Sequence, residues 1–197
     1  PTIRTHFNSF LICRNSVSTL LKTCSFLALI TFYLFYDIWV SNNFTINISG
    51  GAVRNFGSLN LKGSTPGKTL TINGNYEGYT DSKILMNTQL NGDSSVTDKL
   101  VINGNSSGTS AVNVTNVGGT GAKTVNGIPV ILVSGNSNAV FTLDNKVQVG
   151  GFEYFLVKKG KNWHLESIGN NNNVTPTPTP TPTPSPSPSS STRFASA

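Results

Sequence analysis

The stretch LTINGN at Leu70–Asn75 returns almost unchanged, 30 residues later, as LVINGN at Leu100–Asn105. Each copy begins with alternating apolar and polar residues, which is the period of a strand with one face in a core. Each copy ends in Asn-Gly, residues that tolerate a positive φ, so we expect the chain to turn a corner there. Strand-and-turn units that recur at a fixed spacing indicate a solenoid, in which each coil stacks on the last.

The same alternation runs through the middle of the chain, in short segments punctuated by Gly and Asn. No window has the period of 3.6 that an amphipathic helix requires, so we predict an all-β fold. Sandwiches and barrels also contain many short strands, and periodicity alone leaves them open beside a parallel β-helix. The residues predicted to face the core are Leu70, Ile72, Leu100, Ile102, Val112, Val114, Val130, Leu132, Phe141 and Leu143.

The last strand patterns lie in GGFEYFLVKKGKNWHLESI, Gly150–Ile168, which is far more aromatic than the segments before it. Two strand patterns on either side of KKGKN are typical of an antiparallel hairpin. A stack of coils needs cover at its ends to prevent association through the exposed edge. We therefore predict that this hairpin caps the solenoid with the side chains of Phe152, Tyr154, Phe155, Leu156, Trp163 and Leu165.

The two ends of the chain differ from the middle. Residues 1–43 contain the apolar run Cys24–Val40 behind basic residues, the layout of a signal peptide or a membrane anchor. The uninterrupted part is shorter than a membrane span of ~20 residues, so a degenerate signal, an anchor and an artefact all remain open. Residues 171–197 alternate Thr or Ser with Pro, which predicts an extended, disordered linker. The solenoid itself is predicted for residues 44–170.

Charge and cysteine content argue against several classes of protein. The net charge is +6, but the basic residues of the middle are scattered singly, so no nucleic-acid partner is expected. Their one local concentration, VKKGKNW at Val157–Trp163, is predicted to be a solvated turn. The two cysteines, Cys13 and Cys24, lack the spacing of a zinc site. We expect no cofactor and no metal, and a fold held by hydrogen bonds and its core.

The candidates for catalysis are few. His164 lies between Trp163 and Leu165, so it should face solvent on a strand rather than act as a base. Asp93 and Asp98 form the best carboxylate pair, and such pairs bind calcium or act on sugars, which leaves a carbohydrate-active β-helix enzyme as an alternative. Aspartates are also common turn formers, and no base or third ligand lies nearby in sequence. We therefore favour a structural role and expect no enzymatic activity.

Residues 51–168 resemble the pertactin-like C-terminal passenger region of bacterial autotransporters. The resemblance depends on NGNY, TDKLVINGNSSGT and VNVTNVGGTGAKTVNGIPVILV in this order, followed by the hairpin with NWHL. It implies a right-handed parallel β-helix whose last coils and cap form an autochaperone region. It also implies export by type V secretion and a place at the outer membrane, on the cell surface or outside the cell.

In that family the C-terminal end of the passenger seeds folding of the coils that emerge after it. The expected partner is a translocator β-barrel, which normally follows in the same chain. Residues 171–197 then correspond to the spacer, and the chain is expected to be a fragment without its barrel. The alternative is an adhesin, in which exposed Asn, Thr and Ser faces or a patch of Tyr76 and Tyr79 bind a host glycan or matrix protein.

Overall fold

The computed structural model describes residues 23–26, 31–34 and 38–169, and every regular element in those ranges is a β-strand. None of the described ranges forms a helix with the length and apolar character needed to cross a membrane. The strands are β1 (Thr23–Phe26), β2 (Thr31–Leu34), β3 (Ile38–Trp39), β4 (Phe44–Asn55), β5 (Ser58–Asn60), β6 (Thr69–Gly78), β7 (Lys83–Thr88), β8 (Lys99–Ile102), β9 (Ser106–Asn116), β10 (Ile128–Val133), β11 (Val140–Leu143), β12 (Val147–Val149), β13 (Phe152–Lys159) and β14 (Asn162–Gly169).

The strands stack as a parallel β-helix with three ladders. The first ladder joins β1, β4, β6, β8 and β10. A second, shorter ladder joins β2 to the later parts of β4 and β6 and to the start of β9. The third joins β3, β5, β7, β9 and β11. The predicted parallel β-helix is therefore confirmed. We call β4–β5, β6–β7, β8–β9 and β10–β11 the first, second, third and last coil.

The repeated motif is explained by the way its two copies stack. Leu70 pairs with Leu100 and Ile72 with Ile102, and all four side chains are buried. On the outer face the side-chain amide of Asn73 donates to Asn47 Oδ1 at 2.5 Å. The amide of Asn103 donates in turn to Asn73 Oδ1 at 2.6 Å. Identical residues thus form apolar and amide ladders along the solenoid.

The glycines of the motif serve a purpose that we did not predict. Gly74 and Gly104 are absent from the glycines with a positive φ, so the left-handed conformation expected at these two glycines is wrong. A Cβ built at Gly104 would lie 2.4 Å from the carbonyl oxygen of Gly74, and one at Gly135 would lie 2.6 Å from that of Gly104. Glycine is needed there because the backbones of successive coils approach closely.

The predicted core residues are all buried except two. Leu143 is half-buried and packs against the core. Leu132 lies on the outer side, so the prediction is wrong there. The register between β10 and β14 shifts between Pro129 and Ile131, and this bulge turns Ile131 and Val133 inward. A bulge adds one residue to a strand and therefore reverses the parity that follows it.

Tyr76 and the N-terminal strands also differ from expectation. Tyr76 is completely buried, so the predicted exposed patch with Tyr79 is wrong for Tyr76. β1 and β2 pair with β4, and β3 pairs with β5. The rest of residues 1–37 and the linker at 171–197 lie outside the described residues. The interpretation of those two segments stays a prediction.

Candidate functional site: the capped end of the β-helix

The hairpin β13–β14, which we call the cap, closes the C-terminal end of the solenoid. β14 runs antiparallel to β10 and pairs Leu165 with Ile128 and Trp163 with Ile131. β13 pairs with β14 along its length, and β12 adds a third antiparallel strand. Gly160 has φ 60° in the two-residue loop of the hairpin, where the first central residue needs a positive φ. The first ladder therefore ends in an antiparallel sheet instead of another coil.

An aromatic contact joins the cap to the core. Trp163 is 8 % exposed, and its ring meets that of Phe141 edge to face, with 5.5 Å between centroids. Phe141 stacks in turn on Tyr76 of the second coil at 6.0 Å. Lys158 Nζ lies 5.8 Å from the centroid of the Trp163 ring. Such aromatic pairs add about 0.5–1.5 kcal/mol beyond the burial of their surface.

Tyr154 fixes the cap to two loops of the preceding coils. Its ring is 1 % exposed, and its hydroxyl accepts a hydrogen bond from the Ala122 backbone N–H at 3.0 Å. The same oxygen lies 2.9 Å from the Asn91 carbonyl oxygen and 3.0 Å from that of Ala122, either of which can accept its proton. Phe155 is the next residue on the strand and faces outward, 41 % exposed, so its predicted role as a buried cap residue is wrong.

The remaining cap residues pack as expected from their parity. Leu165 is completely buried, and Phe152 and Leu156 are half-buried against the core. The cap therefore presents one apolar face to the solenoid, and Phe155 lies on its opposite, outward face.

The lysines of the hairpin are exposed at its turn, as predicted, and they also anchor the cap. Lys158 Nζ donates to the carbonyl oxygen of Ser137, and Lys161 Nζ donates to that of Ser134 at 3.0 Å. Lys159 Nζ donates to the Asn126 carbonyl oxygen at 3.0 Å and forms an ion pair with Glu166. The last coil has no further coil to pair with, so these ammonium groups satisfy carbonyl oxygens at its corners. The signal in the sequence was a lysine cluster directly after the last coil.

The two aspartates bind backbone and not each other. Asp98 is completely buried, and its Oδ1 accepts from the N–H groups of Gly67 and Lys68, both at 2.9 Å. Its Oδ2 accepts from the N–H of Asn87 at 2.8 Å. These bonds connect the loop before β6 to β7 and the segment before β8. Asp98 is therefore a structural staple between coils, as the turn-forming interpretation predicted.

Asp93 holds the loop that precedes β10. It accepts from the backbone N–H groups of Val125, Asn126 and Gly127 at 2.8, 2.9 and 3.0 Å. The backbone hydrogen bonds from Asn126 and Val125 hold the pKa of Asp93 below its usual value, because they favour the charged carboxylate. In the part of the chain that the structure describes, no three His, Cys, Asp or Glu side chains are grouped as metal ligands.

His164 is half-buried, in contrast to the solvent-facing position predicted for it. It lies opposite Val157 and Pro129, and Gly127 approaches so closely that a Cβ there would be 3.0 Å from His164 Cβ. Burial lowers the pKa of His164, the charge of Lys159 lowers it further, and Glu166 partly opposes both. Its buried Nδ1 atom has no hydrogen-bond partner among the described residues, so that atom lacks the orienting partner of a catalytic base.

The comparisons with known proteins agree with this geometry. "Uncharacterized protein YuaQ" of Escherichia coli K12 is 47 % identical over 125 residues, which is 61 % of this chain and 9 % of that protein. "Probable autotransporter YfaL" of the same strain is 36 % identical over 129 residues, 62 % of this chain and 10 % of that protein. "Autotransporter adhesin AIDA-I" of E. coli is 43 % identical over 107 residues, 51 % of this chain and 8 % of that protein.

The chain thus spans about a tenth of the length of these relatives. The profile of the family described as Autochaperone Domain Type 1 matches residues 45–156, from the start of β4 into β13. The match covers more than half of the chain and confirms the resemblance to autotransporter passengers. The chain belongs to the type 1 autochaperone domain family of autotransporters.

Proposed function

We propose that this domain is the folding nucleus of a longer passenger displayed on a bacterial surface, and that it catalyses no reaction. The observation that carries the proposal is the difference between the two ends of the β-helix. At the C-terminal end the antiparallel cap and its lysines occupy the edge of the last coil. At the other end the ladders continue in parallel from β4 to β1 and β2. Coils can therefore add in one direction only.

We infer that the first folding step takes place at the cap. The first coil of a stack is unfavourable to order, because it forms before a neighbour can bury its core face. The cap supplies that neighbour as a hairpin that forms locally, since its own two strands are joined by a two-residue loop and can pair before they meet β10. Coil-to-coil pairs such as Leu70 with Leu100 lie much further apart and have a larger loop-closure entropy. The capped coil would then serve as a template for the next.

The relatives support a setting for this function. Two of them are named as autotransporters, which supports export across the outer membrane and display on the surface or release from it. The chain would act as one part of a longer protein, because it covers about a tenth of each of these relatives. Its partner would be the translocator β-barrel of the same polypeptide.

The proposal is tested by refolding rates of the full chain. Tyr154→Phe removes a hydroxyl that joins the cap to two loops, and we expect folding to slow about fivefold with little change in unfolding. Val53→Ala is the matched control, because Val53 is fully buried but lies in the first coil. It should speed unfolding and leave folding unchanged. Slower folding in Val53→Ala, together with faster unfolding in Tyr154→Phe, would contradict nucleation at the cap.

An adhesive function is the second candidate. It is favoured by two relatives whose names contain "adhesin", AIDA-I and the Brucella suis BmaC autotransporter, although the matches cover 8 % and 3 % of those proteins. The binding surface would be the exposed amide row of Asn47, Asn73 and Asn103, since Tyr76 is buried. Saturable attachment of the full chain to immobilised glycans or matrix proteins, lost in Asn73→Ala, would support it. No attachment would remove it.

The non-enzymatic part of the proposal rests on the two aspartates. Their carboxylate oxygens accept backbone N–H groups, so neither is free to act as a general acid or base. A hydrolytic activity of the full chain on polysaccharides that disappears in Asp93→Asn, with the fold retained, would contradict this view.

A further inference from the structure

A buried polar network crosses three coils inside the β-helix. The Tyr76 hydroxyl of the second coil lies 2.7 Å from Ser110 Oγ of the third coil. It accepts from the Asn55 side-chain amide of the first coil at 3.2 Å. Ser82 Oγ lies 2.7 Å from Ser110 Oγ and 2.8 Å from the Thr109 carbonyl oxygen. All four network side chains, Asn55, Tyr76, Ser82 and Ser110, are buried.

Only the second coil, among the first three, provides the large aromatic ring that this network needs. Val53, Tyr76 and Ser106 occupy equivalent positions in the first three coils, so a single coil carries the large ring. Gly78 lies beneath Ser110, where a Cβ would be 2.2 Å from Ser110 Oγ. The network therefore distinguishes the second coil from the third, in contrast to the repeated motif.

The repeat itself does not make that distinction. In the observed register, Phe44–Asn47 of β4 pairs with Leu70–Asn73 of β6. The third coil offers the nearly identical Leu100–Asn103, with apolar residues and an asparagine at the same positions. If β4 paired with β8, the second coil would be looped out, and the apolar and amide ladders of the motif would remain. Near-identical repeats thus permit a register that skips one coil.

We propose that the Tyr76 network sets the register of coil stacking, with Asn55 and Ser110 as its positioning partners. In the skipped register Asn55 would lie against Gly108, and Ser106 would replace Tyr76. The short Ser106 side chain cannot fill the volume of the ring or reach both partners, so buried donors and acceptors would lack hydrogen bonds. A fully satisfied network favours one packing because partly satisfied alternatives are expensive.

Disulfide trapping in the full chain tests this proposal. Cys13 and Cys24 are first replaced by Ser, and cysteines are introduced on the outer side of the ladder. Thr45 pairs with Thr71, and Thr71 pairs with Val101. The pair Thr45→Cys with Thr71→Cys reports the observed register, and Thr45→Cys with Val101→Cys reports the skipped one, since only that register makes them neighbours.

The variants Tyr76→Phe and Ser110→Ala are refolded under oxidising conditions. Both keep the shape of the core and remove hydroxyl groups, so the chain still folds. We expect the skipped-register crosslink to rise about tenfold in each, the effect of losing one buried hydrogen bond. Ile102→Val is the control, because it loses a buried methyl group outside the network. It should leave the ratio of the skipped-register crosslink to the observed-register crosslink unchanged.

Two results would overturn the proposal. One is a skipped-register crosslink that stays at the unmutated level in Tyr76→Phe and in Ser110→Ala. The other is an equal rise in Ile102→Val. The choice of register would then depend on the overall stability of the fold and not on the network. The crosslink ratio reports register and not folding rate, so the outcome does not depend on whether the cap nucleates folding.

Discussion

Replacement of Trp163 by Ala should destabilise the chain more than any other single change in the cap. The indole is 8 % exposed, and its edge meets the Phe141 ring with 5.5 Å between centroids. Truncating a buried Trp costs about 3–5 kcal/mol. The aromatic pair contributes about 0.5–1.5 kcal/mol of this, and the Lys158 ammonium over the ring about 0.5–1 kcal/mol. We expect a loss of about 4 kcal/mol in the free energy of unfolding.

The assay is urea unfolding of the full chain followed by far-UV circular dichroism. With a slope of about 2 kcal/mol per M, the midpoint should fall by about 2 M. Phe155→Ala is the control, because Phe155 lies on the outward face of the same hairpin and is 41 % exposed. It should cost less than about 1 kcal/mol. A loss below about 1 kcal/mol for Trp163→Ala, or equal losses for both variants, would refute the assignment of the cap.

Three further changes test the coils and the cap. Gly104→Ala should destabilise by about 2 kcal/mol or more, since its Cβ would meet backbone at 2.4 Å, whereas Gly92→Ala, with 3.4 Å to its nearest atom, should be tolerated in the same urea assay. Asp98→Asn should cost about 2–3 kcal/mol, because an amide cannot accept all three backbone N–H groups, and a loss near zero by calorimetry would contradict its role as a staple. The folded pKa of His164 lies below its ordinary 6.5, so stability should be constant above that pH and fall as the pH drops through the folded value. His164→Gln should abolish this pH-dependent loss, and an unchanged profile would show that other groups cause it.

The sequence was sufficient to predict the strands, but it did not always predict which residues of a strand face the core. Alternation placed Leu70 and Leu100 in the core because a strand reverses its faces at each residue. The same rule failed at Leu132, where a bulge in β10 reverses the parity without a local signal. Phe155 was a different error, since its parity is opposite to that of the buried Tyr154 and already predicted an outward ring.

The site was harder to predict because its contacts join distant segments. The lysines of the cap bind carbonyl oxygens more than 20 residues away, and nothing near them in the sequence shows which oxygens lack a partner. The Gly74 and Gly104 positions looked like turns, but their glycines are required by stacking between coils. Tyr76 is buried because hydroxyl and amide groups from two other coils meet its oxygen, a match that only the three-dimensional stack provides.

Pulse-labelling hydrogen exchange during refolding of the full chain tests the central claim most directly. It reads the time at which each strand acquires protected amides. If the capped end is the nucleus, amides of β10, β13 and β14 become protected first, followed by those of β8, β6 and β4 in that order. Protection of β4 and β6 before the cap, or of all strands in one step, would contradict the account.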